Sequence, residues 1–67
     1  MIVWCMLLIT ISEGGETFKT ETAVKGKVIK QEKGFYFIDF SEYALEKGYL
    51  GNWDRPIEVN KDNCVGE

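Results

Sequence analysis

The pattern of apolar and polar positions predicts β-strands for most of the chain. Residues 2–11 are almost continuously apolar and rich in β-branched side chains, which is typical of a strand buried in a sheet. The two segments that follow alternate between apolar and polar side chains, as half-buried strands do. A last short segment, PIEVN, alternates in the same way and suits a sheet edge. We therefore predict strands over residues 2–12, 17–31, 35–40 and 56–60.

Two turn signals set the register of the first three strands. Gly14-Gly15 has the composition of a two-residue hairpin loop, in which both positions need a positive φ. The sequence EKG at residues 32–34 predicts a turn closed by Gly34 in the left-handed region. The pairs expected to lie opposite each other are Ile11 with Phe18, Cys5 with Val24, Gln31 with Phe35, Ile29 with Phe37, Val28 with Ile38, and Lys27 with Asp39.

The two registers agree on which side of the sheet is apolar, although each follows from a different turn. A slip of one residue in either hairpin would move a whole strand to the other face. We therefore predict a mainly β fold, a small antiparallel meander with one short helix, curled into an SH3-like or partly open barrel; the likeness concerns strand order and size. The long second strand is expected to kink or bulge at Gly26. The core side is expected to carry Cys5, Leu7, Ile9, Ile11, Phe18, Val24, Val28, Tyr36, Ile38 and Phe40.

A helix is predicted over residues 41–48, where the two-residue alternation ends. Ser41 is a favourable N-cap, and Gly48 is a favourable residue just beyond the C-terminus. Ala44 and Leu45 are expected to face the sheet. The following GNWDRP segment is rich in turn residues, and the tail beyond Val65 is expected to fray.

The length of the chain predicts one domain, and its charges are unevenly distributed. Sixty-seven residues predict a single small β domain, residues 1–67, near the lower limit for a chain that folds without staples or partners. The formal net charge of −3 is unevenly spread, since residues 19–33 hold five lysines against two glutamates. A basic middle segment therefore lies between acidic flanks.

The cysteines and the N-terminal segment indicate a cytoplasmic protein without membrane contact. We expect Cys5 and Cys64 to be free thiols in a reducing compartment, with a disulfide between them as the alternative. The apolar N-terminal run lacks the basic region of a signal peptide, and it is shorter than the roughly 20 residues that cross a bilayer as a helix. A translation start at Met6 is an open alternative to Met1.

A catalytic or metal site is not expected. Histidine, the commonest general base and a common metal ligand, is absent. The sequence has no CxxC pair, no GxSxG elbow and no glycine-rich phosphate loop followed by a lysine. We therefore expect no enzymatic activity, no cofactor and no metal.

The side of the sheet opposite the core is expected to carry a second apolar surface crossed by lysines. Contiguous apolar patches beyond a few hundred Å² are uncommon on monomers, so part of this face needs a cover. The sequence leaves three covers open: the helix or the loop at residues 49–53, a second copy of the chain, and another macromolecule. The residues of this face are Trp4, Met6, Leu8, Lys25, Lys27, Ile29, Phe35, Phe37 and Asp39, together with Thr10, Lys19 and Glu21.

This second surface predicts a small protein-binding regulator, adaptor or inhibitor that acts through an apolar-aromatic sheet face, with itself as a further partner in a homodimer. Trp and Arg side chains dominate binding hot spots, and Trp53 either anchors a partner or plugs the protein's own barrel. We expect Arg55 to form a local ion pair with Asp54. The candidate partner-binding residues are Trp4, Phe35, Phe37, Trp53 and Arg55.

Single-stranded nucleic-acid binding is the alternative function. Lys25 and Lys27 would contact phosphates while Phe35 and Phe37 stack on bases. The acidic net charge and the expected pairing of Lys27 with Asp39 weigh against it. A third option is a small subunit of a larger assembly, joined through an exposed strand edge.

Overall fold

The computed structural model describes residues 1–67 and contains one open five-stranded antiparallel sheet in the order β4-β3-β2-β1-β5. The predicted mainly β class with one short helix is confirmed, and the open, curled sheet matches the expected partly open barrel. The elements are β1 (Ile2–Glu13), β2 (Glu16–Glu32), β3 (Phe35–Asp39), α1 (Ser41–Lys47), β4 (Ile57–Asn60), a 3₁₀ helix (Lys61–Asn63) and β5 (Cys64–Gly66).

The register of the first hairpin is as predicted. Gly14 and Gly15 form the turn with φ values of 61° and 84°, which glycine adopts without steric cost. The pairs run from Glu13 opposite Glu16 to Ile2 opposite Lys27 without interruption. Side chains of the same parity therefore share a face along the whole hairpin.

The register of the second hairpin is as predicted at its base and wrong near its turn. Glu32 lies opposite Phe35, so the turn has two residues and the pairs expected for Gln31 and Ile29 are not formed. The extra residue is taken up by a β-bulge at Ile29, below which the pairs of Val28 and Lys27 with β3 are those expected. The bulge was predicted at Gly26, but tight packing, not a bulge, accounts for that glycine.

The sheet curls strongly, because its two edge strands are joined by only one turn of 3₁₀ helix. Four strand spacings in a flat sheet would separate β4 from β5 by about 19 Å. The 3₁₀ helix Lys61–Asn63 spans about 6 Å. The tail was expected to fray beyond Val65. Instead, Cys64–Gly66 forms β5 beside β1, and the Glu67 N–H donates to the Ile2 carbonyl at 3.1 Å.

Cys5 and Cys64 form a disulfide, so the expectation of two free thiols is wrong. The two residues lie opposite each other on β1 and β5, with their Cα atoms 4.0 Å apart. They are 59 positions apart in the sequence, and the curl of the sheet brings them together. The bridge attaches the shortest strand to the centre of the fold.

The core lies on the concave side that the two hairpin registers predicted. Leu7, Ile11, Val28 and Tyr36 pack against it in half-buried positions, whereas Phe18 lies towards the hairpin tip and stays 45% exposed. Because Val3 and Cys5 are among the buried side chains, the first five residues belong to the fold. The fully enclosed core consists of Val3, Cys5, Ile9, Val24, Ile38, Phe40 and Val59.

Helix α1 lies at the end of the sheet where β1 begins and β3 ends. Its first residue is Ser41, whose N–H donates to Asp39 Oδ1 at 2.9 Å. Ser41 is therefore not the N-cap that was predicted, because Phe40 occupies that position and no side chain caps the helix. Gly48 ends the helix in the left-handed region, as predicted. Ala44 is buried, but Leu45 is 85% exposed and does not face the sheet. No helix of the structure has the length and apolar character needed to cross a membrane.

Candidate partner-binding surface

A row of apolar side chains lies along β1 on the side opposite the core. Met6 and Leu8 point to this side and are 46% and 65% exposed. Val65, opposite Trp4 on the same side, is 67% exposed, and exposed Leu50 lies opposite Thr10 at the other end. Since residues directly opposite in a sheet share a face, these side chains form one continuous surface. We define the β1 row as Trp4, Met6, Leu8, Leu50 and Val65.

The backbone beside the β1 row has an unpaired stretch. On its outer side, β1 pairs with β5 only from Val3 to Cys5, and with Leu50 only at Thr10. Even-numbered residues of β1 direct their backbone groups to this outer side, because the carbonyls of Ile2 and Thr10 accept hydrogen bonds there. The N–H and C=O groups of Met6 and Leu8 therefore face outward without a strand partner. An exposed apolar row next to free backbone groups is the arrangement that binds an added strand.

Trp4 is held in place at one end of the β1 row. Its Nε1–H donates to Glu67 Oε2 at 3.1 Å, and its ring meets the Tyr43 ring edge-on at 5.4 Å. Lys25 Nζ lies 6.0 Å from the centre of the Trp4 ring and 3.9 Å from Glu67. Helix α1 thus covers part of the second face through Tyr43, as one of the three predicted covers proposed, while Met6, Leu8 and Val65 stay exposed.

Phe35 and Phe37 lie apart from the β1 row. They occupy β3, opposite Asn60 and Glu58 of β4, so that β2 with Lys25 and Lys27 separates them from β1. Lys30 lies over the Phe37 ring, with Nζ 5.5 Å from its centre, because the bulge places Lys30 opposite Phe37. The structure therefore does not combine the four predicted aromatic anchors into one surface.

Trp53 packs on the protein's own core, as the barrel-plug alternative expects. Its ring meets Phe40 at 6.2 Å and Tyr49 at 6.4 Å. Its Nε1–H donates to the Leu50 carbonyl at 3.1 Å, which positions the segment that bridges to Thr10. Arg55 is exposed in the same loop, and the expected ion pair with Asp54 is not formed.

The two lysines of the nucleic-acid alternative each have a carboxylate neighbour. Lys25 pairs with Glu67, and Lys27 lies 3.8 Å from Glu42, with Asp39 opposite it as predicted. The pKa of Asp39 lies below its ordinary value, chiefly because the Ser41 side chain and backbone donate hydrogen bonds to it and secondarily because Lys27 is near. Acidic groups thus surround the lysines that would contact phosphate.

Leu50, Val65 and the free backbone of β1 were missed in the sequence. Val65 was placed in the tail after the last predicted strand and Leu50 in a loop, and no local pattern marks an isolated bridge or a strand of three residues. No protein-family model, curated protein or solved structure matches the chain.

Proposed function

We propose that this protein is a non-enzymatic regulator, adaptor or inhibitor that binds an extended apolar segment of another protein along β1. The observation that supports this function is the coincidence of exposed Met6 and Leu8 side chains with their unpaired backbone groups. Backbone hydrogen bonds would supply affinity, and alternate side chains of the bound segment would supply specificity. The predicted site thus moves from the aromatic residues Phe35, Phe37 and Trp53 to the β1 row.

The size of the free stretch sets the length of the bound segment. Four residues, Met6 to Ile9, separate the β5 pairing at Cys5 from the bridge at Thr10. That stretch is about 13 Å long, which accommodates about four residues of an added strand. Its side chains on the β1-row face would pack between Val65 and Leu50, so apolar residues at alternate positions are preferred.

The expected cytoplasmic location stays a prediction. Disulfides persist in oxidising compartments and are rare where glutathione and thioredoxin keep thiols reduced. The Cys5–Cys64 bridge is therefore an argument for an oxidising location. The bridge also fixes one end of the proposed partner site, because it holds β5, which bounds the free stretch at Cys5.

Selection from a library of displayed dodecapeptides tests the proposed site. Immobilised wild-type protein is expected to enrich peptides with apolar residues at alternate positions, and Leu8→Ser is expected to weaken their binding at least about tenfold. This change removes an exposed apolar contact without altering the core, so thermal unfolding should shift little. Binding is measured by fluorescence anisotropy with the enriched peptides.

Leu45→Ser is the matched control, since Leu45 is the same residue type and is more exposed, but lies on α1 away from the β1 row. It should bind the enriched peptides like the wild type. Equal losses in both variants, or peptides whose binding ignores Leu8→Ser, would rule out the β1 row as the binding surface.

Nucleic-acid binding and a subunit role in a larger assembly are the two less favoured functions. Nucleic-acid binding through Lys25, Lys27, Phe35 and Phe37 has no added support, because both lysines have carboxylate neighbours and Lys30 covers Phe37. Absence of binding to a labelled single-stranded oligonucleotide at low salt would eliminate it. The role of a small subunit in a larger assembly is compatible with the same free strand edges.

A further inference from the structure

A second free strand edge lies on the opposite side of the β1–β2 hairpin. Strand β2 pairs with β1 from Glu16 to Lys27, but with β3 only from Lys27 to Glu32. On the β3 side, the stretch from Glu16 to Gly26 therefore has no strand partner. The molecule measures 40 × 20 × 18 Å, as expected when this long hairpin projects beyond the shorter strands.

Alternate residues of this stretch direct their backbone groups outward. Odd-numbered residues of β1 pair with β2, and their partners on β2, such as Thr20 and Val24, are even-numbered. The odd-numbered residues of β2 therefore present free N–H and C=O groups on the β3 side. These residues are Thr17, Lys19, Glu21, Ala23 and Lys25.

The charges on this edge are self-complementary. Lys19 and Glu21 are two positions apart, so their side chains lie on the same face of β2. If two copies pair antiparallel about a two-fold axis at Thr20, Lys19 lies opposite Glu21 of the second copy, and symmetry repeats that pair. Opposite charges at directly opposed positions stabilise a sheet, whereas like charges destabilise it.

Neighbouring registers lose this complementarity. An axis at Lys19 or at Glu21 sets like charges opposite each other, and an axis at Thr22 opposes Lys19 with Lys25. That last shift also directs the tip of the second copy into the position held by Asp39 of β3. The axis at Thr20 is close to the middle of the free stretch and uses nearly all of it.

We propose that the free edge of β2 pairs with the same edge of a second copy, with the two-fold axis at Thr20. The resulting dimer has a continuous sheet, β5-β1-β2-β2-β1-β5, in which the two β1 rows lie on the same side. Each β1 row remains free, because β1 and the paired edge are on opposite sides of the hairpin. The dimer is therefore a bivalent form of the partner-binding protein.

Charge reversal tests the interface by analytical ultracentrifugation over a concentration series. The wild type is expected to be a dimer at high micromolar concentration. Lys19→Glu and Glu21→Lys should each raise the dimer dissociation constant about tenfold or more, because both symmetric pairs become repulsive. An equal mixture of the two variants should recover the wild-type affinity as a heterodimer, since each change then meets its opposite charge.

Cysteine cross-linking tests the register. Thr20 lies at a non-hydrogen-bonded position of the proposed pair, where opposite Cα atoms are about 4.5 Å apart, within reach of a disulfide. Thr20→Cys should therefore oxidise to a covalent dimer. Thr17→Cys is the matched control, because its two copies would be about 20 Å apart along the strands.

Several results would overturn the β2 interface. They are a wild type that stays monomeric at high micromolar concentration, a mixture of charge variants that stays monomeric, and equal cross-linking of Thr17→Cys and Thr20→Cys. A dimer lost in Leu8→Ser but kept in Lys19→Glu would also contradict it, because that dimer would use the β1 row. Circular dichroism of each variant confirms that it is folded.

Discussion

Gly26 is the residue at which packing leaves no room for a side chain. A Cβ placed there would approach Phe40 Cδ1 to 2.6 Å and Ile38 Cγ2 more closely still. Both of those side chains are fully buried, so neither is free to move away. Glycine in the middle of a strand otherwise weakens it, and here the close approach of β3 explains its presence.

Gly26→Ala is expected to lower the free energy of unfolding by about 2 kcal/mol through overpacking. Urea denaturation of the purified variant measures this change. Gly66→Ala is the control, since nothing lies within 4 Å of a Cβ at that position and its backbone is not in the left-handed region. Equal stability of the two variants would show that the core around Gly26 relaxes freely.

Asp39 makes the free energy of unfolding depend on pH in the acidic range. Folding lowers the pKa of its carboxyl from the ordinary 3.8, mainly through the hydrogen bonds from Ser41. The ionised carboxylate therefore stabilises the folded state above that ordinary value. The stabilisation is lost as the pH falls through the lower pKa of the folded state.

Asp39→Asn is expected to reduce stability at pH 7 and to have little effect below the folded-state pKa. Asparagine keeps an oxygen that accepts a hydrogen bond from the Ser41 N–H. It lacks the negative charge that attracts the Lys27 ammonium group. Urea denaturation of both proteins at pH 7 and at a series of pH values below 3.8 measures how the difference shrinks in acid. A gap in stability that is as large in acid as at neutral pH would contradict the assigned role of the carboxylate.

At the scale of elements, the two hairpins show where turn residues are enough to predict the register of paired strands and where they are not. Gly14-Gly15 admits one compact loop, and the predicted register holds for all of β1 and β2. Lys33-Gly34 also forms a two-residue turn, and the sheet absorbs the resulting offset in the bulge at Ile29. The bulge does not follow from local pattern, because its position depends on which side chains of β2 and β3 fit the core.

The disulfide joins β5 covalently to β1. It joins residues 59 positions apart, and restriction of the unfolded chain by a loop of that size is worth about 4 kcal/mol in a chain-entropy estimate. Reduction of the wild type is expected to lower the free energy of unfolding by about that amount. Denaturation with and without a phosphine reductant measures it.

The variant Cys5→Ala with Cys64→Ala provides the control for the bridge. Its stability should be low and should not respond to the reductant. Alkylation of both thiols in the folded, non-reduced wild type would show instead that the bridge does not form.

At the scale of the whole molecule, the curl of the sheet decides which surfaces are exposed. It brings β5 beside β1 and leaves Met6 and Leu8 between two short pairings. The first part of β2 also has no strand partner on its β3 side, since β3 is only five residues long. Both proposed interfaces therefore arise from mismatched strand lengths and not from a sequence motif.

The candidate site was only partly predictable for this reason. Exposure of Met6 and Leu8 opposite the core follows from alternation along β1, and both were assigned to that face. Burial of Trp53 against Phe40, and coverage of Phe37 by Lys30, depend on contacts between distant segments. Residue type alone does not record these contacts, and the role of the aromatic residues as anchors stays a prediction.

Local signals in the amino-acid sequence specify the first four strands, the positions of the two hairpin turns and the division of side chains between two faces. Those properties depend on alternation and on glycine, which act over a few residues. The disulfide, the bulge at Ile29, strand β5 and the two free edges depend on how a long hairpin curls around Phe40 and Val59. Such features are settled by packing between segments that are far apart in the chain, which no local pattern records.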